Sequence, residues 1–109
     1  MIIVIDDRRD VRLEDPLDNK RFHLEIRARS ADLAGLAAAF SPYGELESRE
    51  HAWVDTNALR QWQGVAKDPA YLTGLEAMLA YAAKKGWLNA DGTRVRAHVV
   101  WSTPGEKKG

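Results

Sequence analysis

The 109-residue chain has no cysteine. That removes disulfides, thiolate metal sites and thiol nucleophiles together, and makes a reducing, cytoplasmic setting the expectation. It lacks a long apolar run as well. Ile2 to Ile5 is too short for a signal sequence or a membrane span, has no basic leader, and gives way at once to Asp6 and Asp7. Neither sign of charge prevails: 16 acidic and 16 basic side chains cancel, so no global field gathers nucleic acid or an anionic membrane around the protein. Glycine-rich phosphate loops are missing, and Ser30, Ser41, Ser48 and Ser102 lack the Gly-flanked elbow of a hydrolase nucleophile. The acidic stretch 6–20 lacks the glycine and the oxygen-ligand spacing that wrap calcium, and reads as a solvated connector. No repeat or linker divides the chain.

Residues 69 to 86 carry a complete set of helix signals. Asp68 is placed to cap and Pro69 to fill the first helical position, where its missing N–H costs nothing. At 100° per residue, Tyr71, Leu72, Leu75, Met78, Leu79, Ala82 and Ala83 form one apolar arc, with Glu76 on its border. Lys84 and Lys85 complement the helix dipole in the last turn, and Gly86 suits the left-handed position beyond it. The segment is an amphipathic cover for a sheet.

The sheet is assembled from shorter signals. Ile2 to Ile5 reads as a strand buried on both sides or at a dimer seam. Val11 and Leu13 alternate enough for an edge strand at most. In residues 21–29, Phe22, Leu24, Ile26 and Ala28 point one way, and Arg21, His23, Glu25, Arg27 and Arg29 the other. Ser30 is placed to cap a helix with Leu33, Leu36, Ala37 and Phe40 on one side, ended by Ser41-Pro42-Tyr43-Gly44, and the next strand should return parallel. Residues 45–55 read as one long, bulged strand, because neither Arg49 nor Glu50 favours the positive φ of a tight hairpin. A short helix over 56–63 follows. Asp91-Gly92 marks a hairpin loop, and Val95, Ala97, Val99 and Trp101 alternate with Arg94, Arg96, His98 and Val100 in a last strand.

These elements predict an α+β two-layer sandwich: a mostly antiparallel sheet of four or five strands, ferredoxin-like or related, with two or three helices on one face. One domain is expected over residues 1–101 and a disordered tail over 102–109. In an antiparallel register whose partners sum to 121, His23 would face His98, Glu25 would face Arg96, and Arg27 would face Arg94.

The uncovered sheet face then carries the functional candidates. All three histidines, His23, His51 and His98, fall on it, but with no close-spaced pair in sequence they predict no zinc site. One aromatic on a sheet with arginines falls short of an RNA-stacking surface. His51, Trp53 and Asp55 share one side of a strand and could line a pocket with a base, a stacking wall and an orienting acid. Trp62, Trp87 and Trp101 read as core or core rim, whereas Trp53 and Tyr81 mark surfaces that touch something else.

The expected function is binding through the free sheet face, by a self-associating domain that forms a homodimer and takes a small molecule or a protein partner. Trp53, His23, His98, Arg27, Arg96 and Tyr81 are the expected contact residues. No cofactor, metal, nucleic acid or membrane enters this expectation. The alternative is a cofactor-free lyase, isomerase or oxygenase with His51 and Asp55 as its catalytic residues. An enclosed, partly apolar cavity beside His51 would favour the enzyme, and a flat or packed contact the interaction module.

Overall fold

A computed structural model of the chain describes residues 1–18, 20–28 and 33–102. The elements run β1 (Ile2–Asp6), β2 (Val11–Glu14), β3 (His23–Arg27), α1 (Leu33–Phe40), β4 (Gly44–Leu46), β5 (His51–Asp55), α2 (Thr56–Arg60), α3 (Pro69–Lys85) and β6 (Arg94–Trp101). The six strands form one mixed sheet in the order β2-β1-β3-β6-β5-β4. The expected helix cap at Ser30, the outward Arg29 and the tail from residue 103 lie outside the described residues.

Cross-strand register sorts the side chains cleanly. Ile3, Leu24 and Val99 are in register from β1 through β3 to β6, and Val95 with Val54 and Ala97 with Ala52 continue the same face. These residues form one buried cluster with Leu36 and Phe40 of α1, Leu59 of α2, and Tyr71, Leu75, Met78 and Leu79 of α3. All three helices therefore contribute to the core on a single face of the sheet, which is the burial that drives two layers together.

The expected α+β layering holds, but the sheet has six strands, not four or five, and is mixed, not the clearly antiparallel sheet of a ferredoxin-like sandwich. Two of its five pairings, β1 with β3 and β3 with β6, are parallel. The first follows from β2, which runs antiparallel to β1 on the outer edge and so returns the chain to the other side of β1 in its original direction. The register summing to 121 fails for the same reason. His23 does face His98, but in a parallel ladder that sets Glu25 against Val100. The attraction assumed between Glu25 and Arg96 is met elsewhere: Glu25 accepts from Arg27 Nε at 2.6 Å, and Arg96 Nε donates to Glu47 at 3.1 Å.

Residues 45–55 are two strands, not one. The turn needs no positive φ at Arg49 or Glu50, because the Ser48 hydroxyl accepts from the amides of Glu50 and His51 while the Glu47 and Ser48 amides donate to the His51 carbonyl. The resulting β4 runs parallel to β3, as the α1 crossover required, but at the far edge of the sheet. At that edge Gly44 is required: a Cβ there would lie 2.0 Å from the Trp53 carbonyl oxygen.

The main helix matches its signals. The Asp68 side chain accepts from the Ala70 amide, Pro69 opens the helix, and Gly86 closes it at φ 77°. The Gly86 amide donates to Ala83 and the Trp87 amide to Ala82, the paired bonds of a Schellman stop. Tyr71 is fully buried, and its hydroxyl donates to the Leu59 carbonyl at 2.6 Å, tying α3 to α2. No helix among the described residues is long and apolar enough to cross a membrane.

Candidate functional site

The site begins where β6 changes neighbours. Along one edge, the first half of β6 pairs with the chain leaving α3: the Arg96 amide donates to the Trp87 carbonyl at 2.8 Å, Leu88 bridges Val95, and the Asn89 amide donates to Arg94. Beyond Ala97 the neighbour is β3, which enters the ladder at His23 opposite His98. A cleft of about 440 Å³ opens at this hand-over, within the size range of small-molecule sites. Phe22 before β3, Met78, Tyr81 and Ala82 of α3, and Trp87 supply an apolar and aromatic lining, while Lys20, Arg96, His51 and His98 supply the polar part.

Local structure explains why these aromatics are available. The Schellman stop turns the chain sharply at Gly86, and Leu88 packs against the core, so its neighbour Trp87 points away from it. Trp87 is 45% exposed, not the core-rim residue its boundary position suggested, and meets Tyr81 edge-on with ring centroids 5.9 Å apart. Tyr81, 54% exposed, carries the Lys85 ammonium over its ring at 5.5 Å. Trp62 and Trp101 keep to the core margin. Trp62 stacks on Tyr43 at 4.7 Å, and Trp101 packs against the core with its indole N–H on the Arg49 carbonyl and the Arg49 guanidinium over its ring.

The three histidines stand abreast across β3, β6 and β5, with His98 in register with both others. Because the Arg96 amide points away from β5, Arg96 and Trp53, and likewise His98 and His51, occupy the non-hydrogen-bonded type of pair, in which side chains approach most closely. The His51 and His98 rings meet edge-on at 5.7 Å. His23 is two strands from His51, about 10 Å away at the usual strand spacing. Burial pushes the His23 imidazole below its ordinary range, and the N-terminal amine, Arg21 and His98 push it the same way, against the opposing pull of Glu25 at 3.9 Å. Among the described residues, no three His, Asp or Glu side chains converge as metal ligands would.

Of the two residues expected to act together in catalysis, His51 lines the cleft and Asp55 does not. Asp55 is four residues further along β5, about 13 Å at strand rise, and is held by Arg94 Nε at 2.9 Å. Trp53 stands between Glu45 and Arg96 on the sheet face, half-buried, outside the cleft lining. Arg96, His98 and Tyr81 do line the cleft, whereas His23 and Arg27 do not. Arg27 belongs to an ion-pair network over the opposite half of the sheet, in which it joins Glu25 and Glu14, and Arg12 joins Glu14 and Asp6. Lys20 also lines the cleft without having been singled out in the sequence, and Phe22, Met78 and Trp87, read there as apolar-face or core-rim residues, line it too. The one available signal was Trp87 directly after the helix-ending glycine.

Neither protein-family models, curated proteins nor solved structures give a match to this chain.

Proposed function

We propose that this protein is a small-molecule-binding domain whose site is the cleft between α3, Phe22 and the point on β6 where its neighbours change. The observation that supports this reading is the cleft itself, a concave space beside His51 walled by aromatic side chains that the fold leaves exposed. Exposed aromatics at a concavity are where binding energy concentrates, because a ligand can bury them at little cost in side-chain entropy. Self-association through the open sheet face is a weaker reading, since Trp53 is half-buried there in a row with Glu45 and Arg96. A partly apolar cleft beside His51 is also what the enzyme alternative needs, but Asp55 is held by Arg94 outside that cleft, and its lining offers His51 no carboxylate among the described residues.

The test uses N-phenyl-1-naphthylamine, an uncharged fluorophore that brightens in apolar sites. We expect saturable one-to-one binding to the folded protein, weakened about tenfold by Trp87→Ala or Tyr81→Ala, as loss of an aromatic contact of 1–2 kcal/mol implies. Circular dichroism should show both variants folded, as both side chains are exposed. Absence of saturable binding to the wild type would end the proposal.

A further inference from the structure

The charges around the cleft are all of one kind. Lys20 and Arg96 supply them, beside the His51 and His98 rings, and no carboxylate among the described residues lines the cleft. This is unusual for a chain whose charges cancel overall. Elsewhere on the same sheet arginines are matched by acids: Arg27 by Glu14 and Glu25, Arg94 by Glu45 and Asp55. At the cleft the matching is incomplete. The Lys20 ammonium forms no ion pair among the described residues, and Arg96 uses only Nε, toward Glu47, leaving its terminal nitrogens without a hydrogen bond among them.

An unpaired lysine and an arginine engaged only through Nε, beside a low-dielectric apolar wall, leave positive potential there. An arginine with free terminal N–H groups is shaped for a carboxylate, and a lysine adds a mobile second charge. The remaining lining is aromatic and thioether, flat and polarizable, from Phe22, Tyr81, Trp87 and Met78. We infer that the cleft binds a planar aromatic carboxylate, its ring against the aromatic wall and its carboxylate at Lys20 and Arg96. This rests on the small-molecule reading above and adds the chemical class of the ligand.

The test compares 2-naphthoate with its uncharged isostere 2-naphthamide and with the aliphatic anion octanoate, each displacing N-phenyl-1-naphthylamine from the native protein at low salt. Naphthoate is expected to bind at least about tenfold more tightly than either, since a charge-assisted contact and a stacked ring each contribute on the order of that factor. In Lys20→Gln/Arg96→Gln, whose two side chains are exposed, naphthoate should fall to within about twofold of naphthamide measured on the same variant. If naphthamide and naphthoate displace the fluorophore equally from the wild type, the charge claim is overturned while the binding site stands. Octanoate equal to naphthoate overturns the aromatic claim in the same way. Binding of the fluorophore with displacement by none of the three overturns the ligand class altogether, and failure of the fluorophore itself removes the site.

Discussion

The Arg96 amide donates to the Trp87 carbonyl at 2.8 Å, and this bond fixes where the sheet divides. It holds the chain leaving α3 against β6 in the place that β3 takes two residues later. The cleft is thus a product of topology, since two neighbours share one strand edge and part at Ala97. A helix stop at Gly86 that was looser would let residues 87–89 drift from β6 and close or abolish the space.

The helix that walls the cleft is held by its apolar arc. Leu75 is fully buried and Leu79 is 5% exposed, whereas Lys84 is exposed. Truncating either leucine to alanine should cost about 2 to 5 kcal/mol, and Lys84→Ala well under about 1 kcal/mol. Denaturant melts of the three variants check this, and similar losses for all three would mean that the buried face is wrongly assigned.

Gly44 should tolerate no side chain. The clash of a Cβ with the Trp53 carbonyl is with backbone on a paired strand, so relief requires β4 to move away from β5. Gly44→Ala should therefore destabilise by at least about 2 kcal/mol and raise amide exchange at Glu45 and Trp53, the hydrogen-bonded pair of this ladder. Unchanged exchange with a small loss of stability would show that the edge strand adjusts without separating.

What could be read in the sequence was local. The caps of α3, the alternation in β3 and β6, the Asp91-Gly92 loop and the helix-facing set Leu24, Ile26, Val95, Ala97 and Val99 each depend on neighbours within a few residues, and these agree with the structure. Strand direction does not have that property. Glu25 could be matched by Arg96 in one topology or by Arg27 in another, and charge pairing alone cannot choose. The turn at Ser48 was hidden because a hydroxyl replaced the expected glycine. The cleft was hidden for a related reason: Lys20 and Trp87 flank elements, so no periodicity marks them, the alternation marks Phe22 only as inward-facing, and only the division of the β6 edge brings the three together.

Tyr71 gives the fold an alkaline limit. Burial raises its phenol from 10.0 to about 12, so the neutral form is favoured in the folded state. The stabilisation is complete below about pH 10 and is lost as pH rises through the folded value, a change of about 3 kcal/mol for two units. In Tyr71→Phe the loss of the bond to Leu59 should cost about 0.5 to 1.5 kcal/mol at neutral pH, and the decline between pH 10 and 12 should flatten. Parallel urea melts at pH 8 and pH 11 measure both effects; an alkaline decline identical in the variant would assign it to other groups.

The acid limit should lie in the ion-pair network over β2, β1 and β3. Ile2 and Val4 face away from the helices yet are 8% and 0% exposed. They lie in register with Glu14, Arg12 and Glu25 on the flanking strands, and these side chains with Arg27 form a charged cover over them. Hydrogen bonds from Arg27, and secondarily from Arg12, hold the Glu14 carboxyl below its ordinary 4.5. Because the folded value is depressed, its contribution is present above about pH 4.5 and is lost as pH falls through the folded value. Arg27→Ala should therefore cost about 1 kcal/mol or less near neutral pH, as a partly exposed network implies. The gap between variant and wild type should narrow as pH falls from 7 to 3. Urea melts across that range decide it: a gap that stays constant would mean that Arg27 acts by covering Val4 with its aliphatic stem and not through Glu14.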